Sequence, residues 1–193
     1  MALFFALIMQ LKSLCVALCI SITLNGCCNC KHPTTAPATI PACPAELTPP
    51  AFDPMVQARV APPVGWKLDP YKTSSSHKHA VWLSPSGRTA YGVIYFSLPL
   101  PVGHDVTLWG FLNEMRRSEG EATLISKQWD DNLRGLRFVA RGGRYIVRTN
   151  LIVRGFHGWA CYAGTLRDQE VIADELALAE EAREHTEFGA PPQ

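Results

Sequence analysis

The stretch Arg88–Leu98 is apolar on both faces that a β-strand would present. Tyr91, Val93 and Tyr95 alternate one way, and Ala90, Ile94 and Phe96 the other. A strand of that kind cannot show either face to water, so it belongs inside a sheet with packing above and below. That requirement excludes a helical bundle and a half-open two-layer sheet.

The flanking segments fit the same plan. Trp66-Lys67-Leu68 reads as a short strand, and His79–Ser84 as a hairpin partner joined through the turn Ser84-Pro85-Ser86-Gly87. A helix is predicted next. Asp105 is placed to cap it, Leu108, Leu112 and Met115 fall at i, i+4 and i+7, and Gly120 is placed to stop it. Strand-like runs follow at 122–128, 133–140, 144–154 and 157–166, with Gly142-Gly143 as an expected primed turn because such turns need positive φ. A last helix is predicted from about Asp168 to Glu187, with Val171, Ile172, Leu176, Leu178, Ala179 and Ala182 on its apolar face. The expected fold class is α+β. It is a three-layer α/β/α sandwich around a mainly antiparallel sheet, with one middle helix and one C-terminal helix.

The Pro-x-Gly-Trp entry (Pro63 to Trp66), the early hairpin, the single middle helix, the long meander and the closing helix together resemble the PsbP/DcrB-like α/β/α-sandwich group. That group includes the photosystem II extrinsic protein, a nuclear-import factor that binds the GTPase Ran, and many bacterial lipoproteins. The resemblance implies a non-enzymatic binding or accessory role, and it carries over no catalytic residue and no cofactor.

The N-terminal region has a different composition. Residues 1–24 hold one charge, Lys12, and end in Leu24-Asn25-Gly26-Cys27, which resembles the bacterial lipobox. The resemblance implies cleavage before Cys27, lipidation of its thiol, and a membrane anchor facing the periplasm. Met9 is an alternative start, since Met9 to Leu24 alone has the proportions of a signal peptide. Cys28 rather than an aspartate after Cys27 favours the outer membrane, by analogy with lipoprotein sorting. An uncleaved transmembrane anchor is the rival reading.

Residues 27–61 follow as an expected proline-rich disordered tether. The folded domain is expected over 62–188 and a tail over 189–193. The tether also carries Cys28, Cys30, His32 and Cys43, which lack the further ligands of a metal site and fit disulfide formation in an oxidising compartment. Cys161 is isolated among apolar residues and reads as core.

The formal net charge is only +1 across 193 residues, which excludes a strongly basic nucleic-acid binder. Arg141-Gly142-Gly143-Arg144 resembles an RNA-binding RGG segment, but its place between alternating strands makes it a hairpin. The near-neutral total hides a segregation. Arg134, Arg137, Arg141, Arg144, Arg148 and Arg154 fall in a meander without acids, while acids crowd the last helix. Two readings are open. The closing helix packs over this face and pairs with the arginines. Alternatively Arg137, Arg141, Arg144, Arg148 and Arg154 form a surface for an acidic protein partner, lipid headgroups or another polyanion.

Two further classes of function stay in play. One is a small-ligand lipoprotein with a cleft lined by some of Trp82, Tyr91, Trp109, Trp129 and Trp159. The other is an envelope hydrolase or metal protein, which requires at least three of His77, His79, His104 and His157 to converge. No GxSxG elbow, P-loop or HExxH motif is present.

Overall fold

The computed structural model describes residues 46–73 and 77–189. The expected signal segment and most of the expected tether lie outside the described residues, as do Cys27, Cys28, Cys30 and Cys43.

A seven-stranded antiparallel sheet forms the middle layer. In chain order its strands are β3 (Lys67–Thr73), β4 (His77–Leu83), β5 (Thr89–Ser97), β6 (Ala122–Asp130), β7 (Gly135–Gly142), β8 (Tyr145–Arg154) and β9 (His157–Leu166). Their spatial order is β3-β4-β5-β9-β8-β7-β6. Helix α1 (His104–Glu119) packs on β6, β7 and β8, and helix α2 (Ala173–Glu184) packs chiefly on β9 and β5. Three layers result, as the two-faced strand required.

Each face has its own core. On the α2 side, Tyr91, Val93, Trp159, Cys161 and Ala163 meet Leu178, Ala179 and Ala182. On the α1 side, Phe96, Phe138, Val147, Ala160 and Tyr162 meet Leu108 and Met115. The alternation along β9 sends Trp159, Cys161 and Ala163 one way and Ala160 and Tyr162 the other. Cys161 is fully buried as expected, and burial pushes its thiol up to about 12.

Four boundaries differ from the sequence reading. The fold begins before residue 62, because β1 (Ala51–Asp53) and β2 (Ala58–Val60) form a small sheet with β10 (Glu187–Phe188). Val56, Ala58 and Val60 are buried in the α2-side core, so this part of the expected tether is structural. Helix α2 is shorter than expected. Its N-cap is Ile172 in an extended conformation, which leaves Asp168, Glu170 and the exposed Val171 outside it.

Asp105 is not the cap of α1 either. Gly103 holds that position with no side-chain cap, and Asp105 sits in the first turn, where its charge suits the helix dipole. Finally, neither Gly142 nor Gly143 has a positive φ. Their small size serves packing instead. A Cβ on Gly143 would lie 2.3 Å from the Glu119 carbonyl oxygen, and one on Gly142 would lie 3.2 Å from Glu119 Cγ.

Candidate docking surface

Half of the meander's six arginines, Arg137, Arg144 and Arg148, pair with acids of the chain. Arg137 Nε donates to Asp130 Oδ2 at 2.6 Å, and its terminal nitrogens bind both oxygens of Glu184 on α2, one of them at 2.7 Å. Burial alone would raise the Glu184 carboxyl, but Arg137 and Arg183 outweigh it and hold it below its ordinary value. Arg148 pairs with Glu180 of α2 at 3.1 Å. Arg144 donates from its backbone and side chain to Glu119 at the end of α1, and its guanidinium lies 5.5 Å from the Tyr145 ring centroid. Arg141 is half-buried, and its Nε makes no hydrogen bond. Arg154 is exposed and donates to the Phe188 carbonyl at 3.0 Å. Three of the five candidate docking residues therefore hold acids of their own chain: Arg137 and Arg148 on the closing helix, as the packing alternative anticipates, and Arg144 on the middle helix instead.

The histidines separate. His79 Nε2 lies 2.8 Å from the Tyr162 hydroxyl, and His157 Nδ1 lies 2.8 Å from the Tyr95 hydroxyl. His104 is bound elsewhere, at the start of α1, where its Nε2 accepts the Val153 N–H at 3.2 Å. Among the described residues, no group of three or more His, Cys, Asp or Glu side chains can hold a metal ion. The aromatic residues separate as well. Trp82 stacks on Tyr91 at 5.1 Å inside the α2-side core, and Trp159 is buried with its indole donating to the Val56 carbonyl. Trp109 and Trp129 stand exposed on the other side of the sheet.

Sequence reasoning missed what those two tryptophans belong to. Leu100, Val106, Trp109, Ile125, Trp129 and Phe156 are each between 46% and 57% exposed. Most of them gather where β5, β6 and β8 finish and β7 and β9 begin. The loop 98–103 carries Pro99, Leu100 and Pro101 between two anchored residues, Leu98 and Val102. Its first residue donates from Leu98 N–H to the Phe156 carbonyl at 2.7 Å, which fixes Leu100 beside the β8–β9 turn. That turn is only Gly155-Phe156, with Gly155 at φ 60°, between two ten-residue strands in the interior of the sheet. Phe156 is thus presented by a rigid hairpin.

His104 joins this end of the molecule together. Its ring meets the Trp129 indole edge-on at 5.0 Å, and its second nitrogen hydrogen-bonds the Arg134 backbone. Burial is the main influence on its pKa, which falls below 6.5. The neutral ring accepts from Val153 and donates to the Arg134 carbonyl, tying the start of α1 to the β6–β7 turn and the end of β8. The charged groups around the apolar residues include Arg134, Arg154, Asp131, Glu187 beside the Phe188 that Arg154 holds, and the ion pair Lys127–Asp105 at 2.8 Å. Asp131 accepts the Trp129 indole N–H at 2.9 Å. Neither Arg134 nor Arg154 has an acidic partner among the described residues. The signal in the sequence was the run Pro99-Leu100-Pro101-Val102-Gly103, apolar yet unable to continue a strand.

The layer order, the antiparallel sheet and the two helices define a PsbP-like α/β/α sandwich. The solution structure of cyanobacterial PsbP (CyanoP) from Synechocystis sp. PCC 6803 is similar at a TM-score of 0.55 and 13% identity, over 81% of this chain and 98% of that one. At that identity the likeness establishes the fold alone. A crystal structure from Bacteroides thetaiotaomicron VPI-5482 is similar at a TM-score of 0.39 and 13% identity, over 76% of this chain and 49% of that one, and supports no argument. No protein-family model and no curated protein sequence matches the chain.

Proposed function

We propose that this chain is a non-enzymatic binding module of the bacterial cell envelope, held at a membrane through a lipid on Cys27, and that it docks through the apolar loop end of its sheet. The observation that carries this reading is the rigid cluster of Leu100, Trp129 and Phe156. Large apolar side chains held exposed by prolines, a two-residue hairpin and a bridging histidine are costly to solubility, and they serve recognition. Three arginines of the meander support the same choice, since the charges of Arg137, Arg148 and Arg144 are already matched by Glu184, Glu180 and Glu119. An accessory role also agrees with the PsbP-like fold.

A photoreactive residue placed in living cells at position 156 tests the proposal, with position 88 as the control. Arg88 sits in the β4–β5 turn at the opposite end of the sheet. Adducts concentrated at 156 support the docking end. Equal labelling at the two positions, or none at 156, overturns it.

A further inference from the structure

Resting on that docking end, we infer that what it meets is an anionic phospholipid surface. Three features combine. Leu100 and Phe156 project from loops and Trp129 from the last residues of β6, all toward one end, so they can enter a headgroup layer together without any strand bending. A flat lipid surface accepts such a tip, and the burial of these side chains supplies the apolar share of binding. The second feature is charge. Arg134 and Arg154 lie on this rim without acidic partners among the described residues, and Arg154 uses one donor on the Phe188 carbonyl. Each guanidinium keeps donors for phosphate oxygens, which it can hold in pairs. Beside these two cations stand two acids outside an ion pair: Asp131, which already accepts the Trp129 indole N–H, and Glu187, next to the Phe188 carbonyl that Arg154 binds.

The third feature is reach. The described chain starts at Glu46, and Leu47 bridges Pro63 just before β3, whose first residue pairs with Leu83 at the end of the sheet far from Phe156. Eighteen residues separate Cys27 from Glu46. Fully extended they span at most about 60 Å, against roughly 33 Å for a ten-residue strand such as β8. A domain anchored at Cys27 can therefore turn its apolar end onto the membrane that holds it.

The test uses the full chain with a photoreactive residue at 156, 100 or 88. It is mixed with vesicles of phosphatidylcholine alone, or with about a quarter of the lipid replaced by phosphatidylglycerol. The N-terminal segment is the same in all three proteins, so position is the readout. Phospholipid adducts are expected at 156 and 100 on the anionic vesicles and not at 88. They should fall about tenfold on neutral vesicles and in the Arg134→Glu/Arg154→Glu variant. Raising salt from about 50 mM to about 500 mM should reduce them in the unmodified sequence too, which covers the case of a misfolded variant. Equal labelling at 156 and 88, or labelling at 156 indifferent to both lipid charge and salt, overturns the inference. The cellular experiment separates the two levels: a protein adduct at 156 instead of a lipid one retains the docking end and removes the lipid surface, whereas no adduct at 156 removes both.

Discussion

His104 shows how one side chain can set the shape of a surface. Its ring is held between the Val153 N–H, the Arg134 backbone and the Trp129 indole, which suits only the neutral form, because Nε2 must accept. A histidine whose folded pKa lies below its unfolded value contributes stability that is complete above about 6.5 and is lost as pH falls through the folded value. The thermal midpoint should therefore decline on going from pH 7 to pH 5, and His104→Leu should flatten that decline. The same variant should cost about 1–3 kcal/mol at pH 7, because a backbone N–H and a carbonyl lose their partner. A midpoint that keeps its slope in His104→Leu would place the titration elsewhere. Glycines make a second residue-scale test. A Cβ on Gly92 would lie 2.3 Å from Tyr162 Cζ, and one on Gly158 would lie 2.2 Å from Phe96 Cε2, because both rings lie flat across a glycine of the neighbouring strand. Gly92→Ala and Gly158→Ala should each destabilise by about 1–3 kcal/mol. Gly110, inside α1 with nothing within 4 Å of its Cβ site, should instead gain about 0.5–1 kcal/mol as alanine. Urea denaturation of the three variants measures these effects.

Among the elements, the two edge strands are protected unequally. β3 carries Pro70, a register shift and two charges at Lys67 and Asp69. Each discourages a further strand from pairing. β6 is exposed over nearly its whole length and shows Leu124, Ile125 and Trp129, defended only by its bulge between Leu124 and Ser126 and by Lys127. Ile125→Lys should reduce concentration-dependent association in light scattering while moving the thermal midpoint little, since Ile125 stands in solvent. Association unchanged by this substitution would exonerate the edge. How legible these elements were depended on what kind of contact made them. β5 was readable because its alternation is local, and so was the end of α1, where Gly120 adopts φ 80°. Gly142 and Gly143 were misread because their constraint comes from Glu119, more than twenty residues earlier, where a helix end approaches the hairpin. β1 and β2 were hidden for a similar reason. A three-residue strand has too short a period to see, and this pair is held by β10 from the far end of the chain. The exposed end formed by Leu100, Trp129 and Phe156 draws on two loops and the last residues of β6, and no local pattern could join them.

At the scale of the whole molecule, the segregated charges bind the layers together. Arg137 on β7 reaches Asp130 on the neighbouring edge strand and Glu184 on α2, so one guanidinium spans the sheet and the helix above it. Ion pairs this exposed contribute little individually, about 0–1 kcal/mol. Their shared partner makes them visible in acid. The Asp130 carboxyl is held low by the Leu133 N–H and by Arg137, and Glu184 is low because its arginines overcome burial. Groups whose folded pKa is depressed contribute stability that is present above their unfolded values, 3.8 and 4.5, and disappears as pH falls through the folded ones. This limb lies below that of His104, so the two can be followed separately. Arg137→Gln removes the charge common to both carboxylates while leaving a side chain of similar length. Thermal midpoints measured from about pH 6 down to about pH 2.5 should therefore fall less steeply for Arg137→Gln than for the unmodified chain, the two curves converging in acid. Arg88→Gln, in the exposed β4–β5 turn, should leave the slope unchanged. If Arg137→Gln also leaves it unchanged, Arg137 does not hold the sheet to α2 by charge, and the meander again becomes a candidate for docking.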